Sequence, residues 1–126
     1  MQISFSPRDA RLAIAGIRGC VGIGSLVAPR KLGALFGIDV ENNEAAVYPL
    51  RLFGARELFM AAPVALGAPE EIVALSVKGG VAVDAADVLA AAAAGKTGAL
   101  DKRSAVMAGA VAAVAVGLGV YACSEA

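Results

Sequence analysis

Residues 104–122 read SAVMAGAVAAVAVGLGVYA, nineteen residues without a charge. As a helix rising about 1.5 Å per residue, the stretch is roughly 28 Å long, close to the hydrocarbon thickness of a bilayer. It is apolar on every side, as a membrane span is, and not on one stripe only. Gly109, Ala113 and Gly117 recur in it at four-residue spacing, a small-residue ridge that lets helices approach closely.

The rest of the chain agrees with that reading. Of its 126 residues 59% are hydrophobic before its 15 glycines are added, and 17% are charged. A soluble domain has roughly 45–50% apolar residues with Gly included and about 25% charged residues. Mean hydropathy is +0.74. Too few polar side chains exist to cover a small soluble fold, so lipid is the better solvent. Eleven basic and eleven acidic residues cancel, and no basic run stands out, which argues against nucleic acid as a partner. Histidine is absent, which removes the commonest metal ligand and the usual base near neutral pH. No metal and no cofactor is expected. Cys20 and Cys123 have no CxxC companions and are expected to be unpaired, small apolar core residues. Residues 1–6 lack the basic start of a signal peptide, and Arg18 would interrupt its apolar region.

Three further helices are predicted, over about 7–28, 48–66 and 70–94. Ser6-Pro7-Arg8-Asp9 is a helix start, with a capping hydroxyl, a first-turn proline and an acid at the positive dipole end. Pro29 stops the first helix, and residues 30–37 form a short interfacial segment. Pro63 should kink the second helix. Glu70 and Glu71 open the third, and Gly95 is placed as its C-terminal cap. Gly16, Cys20, Gly24 and Ala28 form a second small-residue ridge. The predicted fold is therefore all-α: one domain, 1–126, a four-helix transmembrane bundle with an interfacial segment after its first helix. Five basic residues (Arg30, Lys31, Lys96, Lys102, Arg103) flank the spans on the longer-loop side and two (Arg8, Arg11) on the terminal side. The positive-inside rule then puts both termini outside.

Charges also fall inside the spans. Each costs about 2.5–3.5 kcal/mol at a helix centre, whereas an apolar residue returns only about 0.3–0.6. The second helix, with Arg51, Arg56 and Glu57, is therefore unstable in lipid unless neighbours pair its charges. Arg18, Arg56, Glu57 and Asp84 are mid-span, with Asp87 and Arg51 nearer the longer loops. Asp84 and Asp87, three apart, share a face. The expected pairs are Arg56 or Arg18 with Asp84 and Glu57, and Arg51 with Asp87, while Lys78 reaches toward Glu70 and Glu71. Candidate catalytic residues are Asp84, Asp87 and Glu57, and candidate substrate-binding residues are Arg18, Arg51 and Arg56. Intramembrane ionisable groups usually mark a site, although a paired network can also simply fix helix register.

The stretch Leu50-Arg51-Leu52-Phe53-Gly54-Ala55-Arg56-Glu57-Leu58 resembles the Arg-Leu-x-Gly-Ala-Arg-(Asp/Glu)-Leu hallmark of a family of small four-helix bacterial membrane proteins of unknown function. Pro29, Leu35-Phe36-Gly37-Ile38 and the Asp84-x-x-Asp87 pair extend the similarity over nearly the whole chain. The resemblance implies a bacterial inner-membrane protein with the charged layer as a shared design. It implies no activity.

Three functions compete. The first is binding of a lipophilic small molecule between the first three helices, with acid/base chemistry on it, Asp84 being the acid or base. The second is a structural or accessory subunit of a larger membrane complex, docking on a membrane-protein partner through the small-residue ridge of residues 104–122. The third is a proton-coupled small transporter acting as a homodimer. Membrane lipid is a partner in all three.

Overall fold

The computed structural model describes residues 2–125, Glu125 by its backbone only; Met1 and Ala126 of the expected 1–126 domain lie outside them. Five α-helices and no strand are found among them: α1 (Pro7–Val27), α2 (Pro29–Leu35), α3 (Val47–Ala65), α4 (Glu70–Thr97) and α5 (Lys102–Ala122). The all-α expectation holds.

Local chemistry explains the helix ends. Ser6 and Asp9 form a reciprocal capping box: the Asp9 N–H donates to Ser6 Oγ at 3.2 Å, and the Ser6 N–H donates to Asp9 Oδ2 at 2.9 Å. Ala28, held off helical geometry by the following Pro29, is the corner between α1 and α2. Two glycines with positive φ close helices as Schellman turns. At Gly37, the Ile38 N–H donates to the Gly33 carbonyl at 2.9 Å and the Gly37 N–H to the Ala34 carbonyl at 3.1 Å. At Gly67, the Ala68 N–H reaches the Pro63 carbonyl at 2.9 Å, so α3 runs through Pro63 and ends two residues later. Gly95 is not the cap of α4. That helix continues to Thr97, and Gly98 takes the left-handed position. Gly95 is needed for close packing: a Cβ there would come within 2.8 Å of the Ala105 methyl on α5.

The four long helices run up, down, up and down. In cross-section α1 lies between α3 and α5, α4 packs on α5, and the ring closes through a sparse seam between α3 and α4. At the crossing of α1 on α3 the two backbones meet directly. A Cβ on Gly22 would meet the Gly54 carbonyl oxygen at 2.9 Å, and one on Gly54 would meet that of Gly22 at 2.8 Å. The expected ridge on α1 does not face this crossing. Gly16 has open space around it and Cys20 is exposed, so Cys20 is not a core residue. Cys123, half-buried, does sit against the core. On α5 the tightest glycine approach is Gly119 against Val81; of the expected ridge Gly109 meets the Ala91 methyl at ordinary contact distance, while Gly117 is open and Ala113 exposed.

The terminal end of the bundle is a small apolar core of Ala10, Val73, Val77 and Ala122. Arg11 pins it, donating to Glu70 at 2.6 Å and to the Ala122 carbonyl at 3.2 Å. Glu70 therefore takes Arg11 and not Lys78, which stays exposed. Apart from Ile14 and Leu50, the rest of the buried interior is mostly Ala, Gly, Val, Ser and charge, and many bulky side chains point outward: Phe59 and Leu66 are each 82% exposed, Leu89 72% and Leu75 69%. Two helices, α1 and α5, are long and apolar enough to cross a membrane; the charges of α3 and α4 keep those two below that mark.

Candidate functional site

Three core-facing stripes each carry a charge. On α1 the buried positions are Ala10, Ile14, Arg18, Gly22 and Ser25; on α3 they are Leu50, Gly54, Glu57 and Ala61; on α4 they include Val77, Gly80, Asp84 and Ala91. The apolar members must face inward, and helical periodicity carries Arg18, Glu57 and Asp84 in with them. Each of the three is no more than 5% exposed. Gly80 makes the clearance, since a Cβ there would lie 2.7 Å from Arg18 Nη2.

Arg18 reaches across the bundle and grips Asp84 with both terminal nitrogens, Nη1 to Oδ1 at 3.2 Å and Nη2 to Oδ2 at 2.5 Å. Its Nη1 also donates to Glu57 Oε2 at 2.9 Å. The other Glu57 oxygen accepts from Arg56 Nη2 at 3.3 Å. Arg56 in turn forks onto Asp87, at 3.1 and 2.6 Å. The result is a continuous chain of alternating charge in the order Asp84, Arg18, Glu57, Arg56, Asp87. Forked guanidinium–carboxylate pairs are the strongest and most directional of such contacts.

Two properties of this chain matter chemically. Three carboxylates share two guanidinium groups, so its fully ionised form carries one excess negative charge, and residues 104–122 of α5 supply nothing to balance it. Second, only one end opens. The Arg56 and Asp87 side chains are 35% and 33% exposed, at the α3–α4 seam, while the Arg18 end is dry. The Phe53 ring stacks under the Arg56 guanidinium, 4.9 Å from its centroid, and Arg56 Nε is buried without a partner. Ser76 adds a second link across the seam, its hydroxyl donating to the Met60 carbonyl at 2.8 Å.

Five of the six residues singled out from sequence are thereby joined. The sixth, Arg51, is not. It is exposed, and Asp87 takes Arg56 instead. Arg51 precedes Arg56 by five residues, about 140° around the helix, so equal depth could not bring it to the same partner. It lines a concavity of about 660 Å³ at the corner of α1, α2 and α3, with Arg30, Lys31, Glu44 and Tyr48. A second, apolar concavity of about 460 Å³ lies between α4 and α5, and neither touches the charged chain. Phe53 carries no signal in the sequence pattern, whereas Gly80, with Ala91, extends the face of Asp84 with small residues, as its position in the helix implies. No group of His, Cys, Asp or Glu that could hold a metal occurs among the described residues.

No family model, curated protein or solved structure matches the chain.

Proposed function

We propose that this chain is an integral protein of the bacterial inner membrane, crossed by all four long helices with both termini outside, and that it binds the cationic head of a lipophilic small molecule at Asp87. Kinship with the small four-helix membrane family is part of the proposal, carried by residues 50–58. The inverted distribution of side chains supports the membrane reading: charge lies inside, and bulky apolar groups face out over all four helices. The ligand reading rests on one observation. The charged chain has one carboxylate too many and opens at Asp87 alone with Arg56, on a seam that a lipid-dissolved molecule can approach from the side. A positive head there balances the excess charge, and its apolar tail lies along the exposed helix faces.

Asp84 does not suit the acid or base role, because its side chain is buried beneath the Arg18 fork, whereas Asp87, forked in the same way by Arg56, is one-third exposed. Acid/base chemistry on the ligand belongs to Asp87. The test is binding of a long-chain alkylammonium to the detergent-purified protein, compared with the alcohol of equal chain length. The ammonium should bind at least tenfold more tightly, and Asp87→Asn should erase that preference without lowering thermal stability. Equal affinities in the wild type would exclude the proposal.

A second reading, an accessory subunit whose network only sets helix register, draws support from the dry grip of Arg18 on Glu57 and Asp84. The alkylammonium titration separates the two: a preference for the ammonium that depends on Asp87 favours the ligand site, whereas equal affinities favour a network that only sets register. Proton-coupled transport ranks third, with the excess carboxylate as its proton carrier.

A further inference from the structure

Arg51, left out of the charged chain, lies in a setting of its own. The concavity at the α1, α2 and α3 corner gathers three basic side chains, Arg30, Lys31 and Arg51, against one acid, Glu44. Glu44 engages only Arg30, at 2.8 Å, and both partners are well exposed, so this pair is weak and easily exchanged. Lys31 and Arg51 have no ion-pair partner among the described residues. The nearby Asp39 is turned to its own loop, accepting from the Asn42 backbone and side chain. Val27, 79% exposed, and Tyr48, 71% exposed, give the concavity an apolar wall on the side of the helices. The corner sits where α1 ends and α3 begins, at the level where headgroups meet a spanning bundle. Basic groups at the rim, an amphipathic tyrosine and apolar residues toward the helices match an anionic amphiphile in both charge and orientation. A guanidinium offers a fork suited to phosphate, and a lysine adds a mobile point charge.

We infer that this corner is a binding site for an anionic glycerophospholipid, its phosphate held by Lys31 and Arg51 and one acyl chain lying along Val27. The inference rests on the membrane reading above. The α4–α5 concavity, with Lys96 and Lys102 at its rim, serves as an internal control of similar charge.

The experiment is native mass spectrometry of the detergent-purified full chain, titrated with phosphatidylglycerol or phosphatidylcholine of identical acyl chains, and with inorganic phosphate alone. Each basic side chain near anionic lipid contributes a factor of about five in affinity. Phosphatidylglycerol should therefore be preferred, and Lys31→Gln with Arg51→Gln should reduce its apparent affinity about 30-fold. Both positions are exposed, so the double variant keeps the fold. Lys96→Gln with Lys102→Gln should leave the preference in place. Equal affinity for the two lipids, loss of preference only in the α4–α5 variant, or full binding of inorganic phosphate would each overturn the inference. If instead the protein stays soluble without detergent and takes up neither lipid, the membrane reading has failed with it.

Discussion

Arg18 is the residue on which most depends. It is nearly inaccessible and holds two carboxylates on two other helices. Replacing one member of a buried ion network leaves its partners charged and unpaired, which costs about 3–5 kcal/mol, whereas replacing all members by neutral groups of similar size costs much less. Arg18→Met should therefore lower unfolding free energy in detergent by about that amount. Adding Glu57→Gln and Asp84→Asn to it should restore most of the loss, and a triple variant as unstable as the single one would contradict the network. These three residues were legible in the sequence because each shares a stripe with apolar neighbours that must be buried. Depth along the helix alone would put Arg51 beside Asp87, but its azimuth, about 140° from Arg56, turns it outward. Azimuth also accounts for Phe53, which lies three residues before Arg56 and so beneath its guanidinium.

At the scale of the helix, glycine position carries the packing. Gly54 meets the α1 backbone directly, so Gly54→Ala should push α1 and α3 apart and cost about 1–3 kcal/mol. Gly16 meets nothing, and Gly16→Ala should be neutral or stabilising by up to about 1 kcal/mol through helix propensity. Thermal unfolding of the two variants side by side checks the contrast. Four-residue spacing of small residues could be read in the chain, but spacing alone leaves the phase open. The phase is set by Ile14 and Arg18, which lead by the same spacing to Gly22 and not to Gly16, Cys20 and Gly24. The end of α4 is ambiguous in the sequence for a related reason: a glycine near a helix end reads as a cap whether it closes the helix, as Gly98 does, or admits a neighbour, as Gly95 does. The N-terminus of α5 gives a pH signature. The Ser104 backbone N–H and hydroxyl donate to Asp101 and hold its carboxyl below the ordinary range. A depressed folded-state pKa means the cap contributes fully above the unfolded value, about 3.9, and is lost as pH falls through the still lower folded one. Hydrogen exchange of the first-turn amides of α5 should stay protected to about pH 4 and open below it, whereas Asp101→Asn should flatten that dependence.

At the scale of the molecule, the number, length and order of the long helices could be read from composition and periodicity, and so could a charged layer shared by three of them. The sparse α3–α4 seam could not, because it depends on which helices become neighbours in the ring. The proposed membrane insertion ties these scales together, and the chain carries its own probe. Cys20 points outward from the middle of α1, near the level of Arg18, while Cys123 lies near the terminal core. A thiol needs water to ionise and react. In sealed membranes bearing the Cys123→Ala variant, Cys20 should resist a polar maleimide applied from either side and react fully once the protein is unfolded in detergent. Rapid labelling of Cys20 in the folded protein would mean that water, not lipid, covers the outer face of α1.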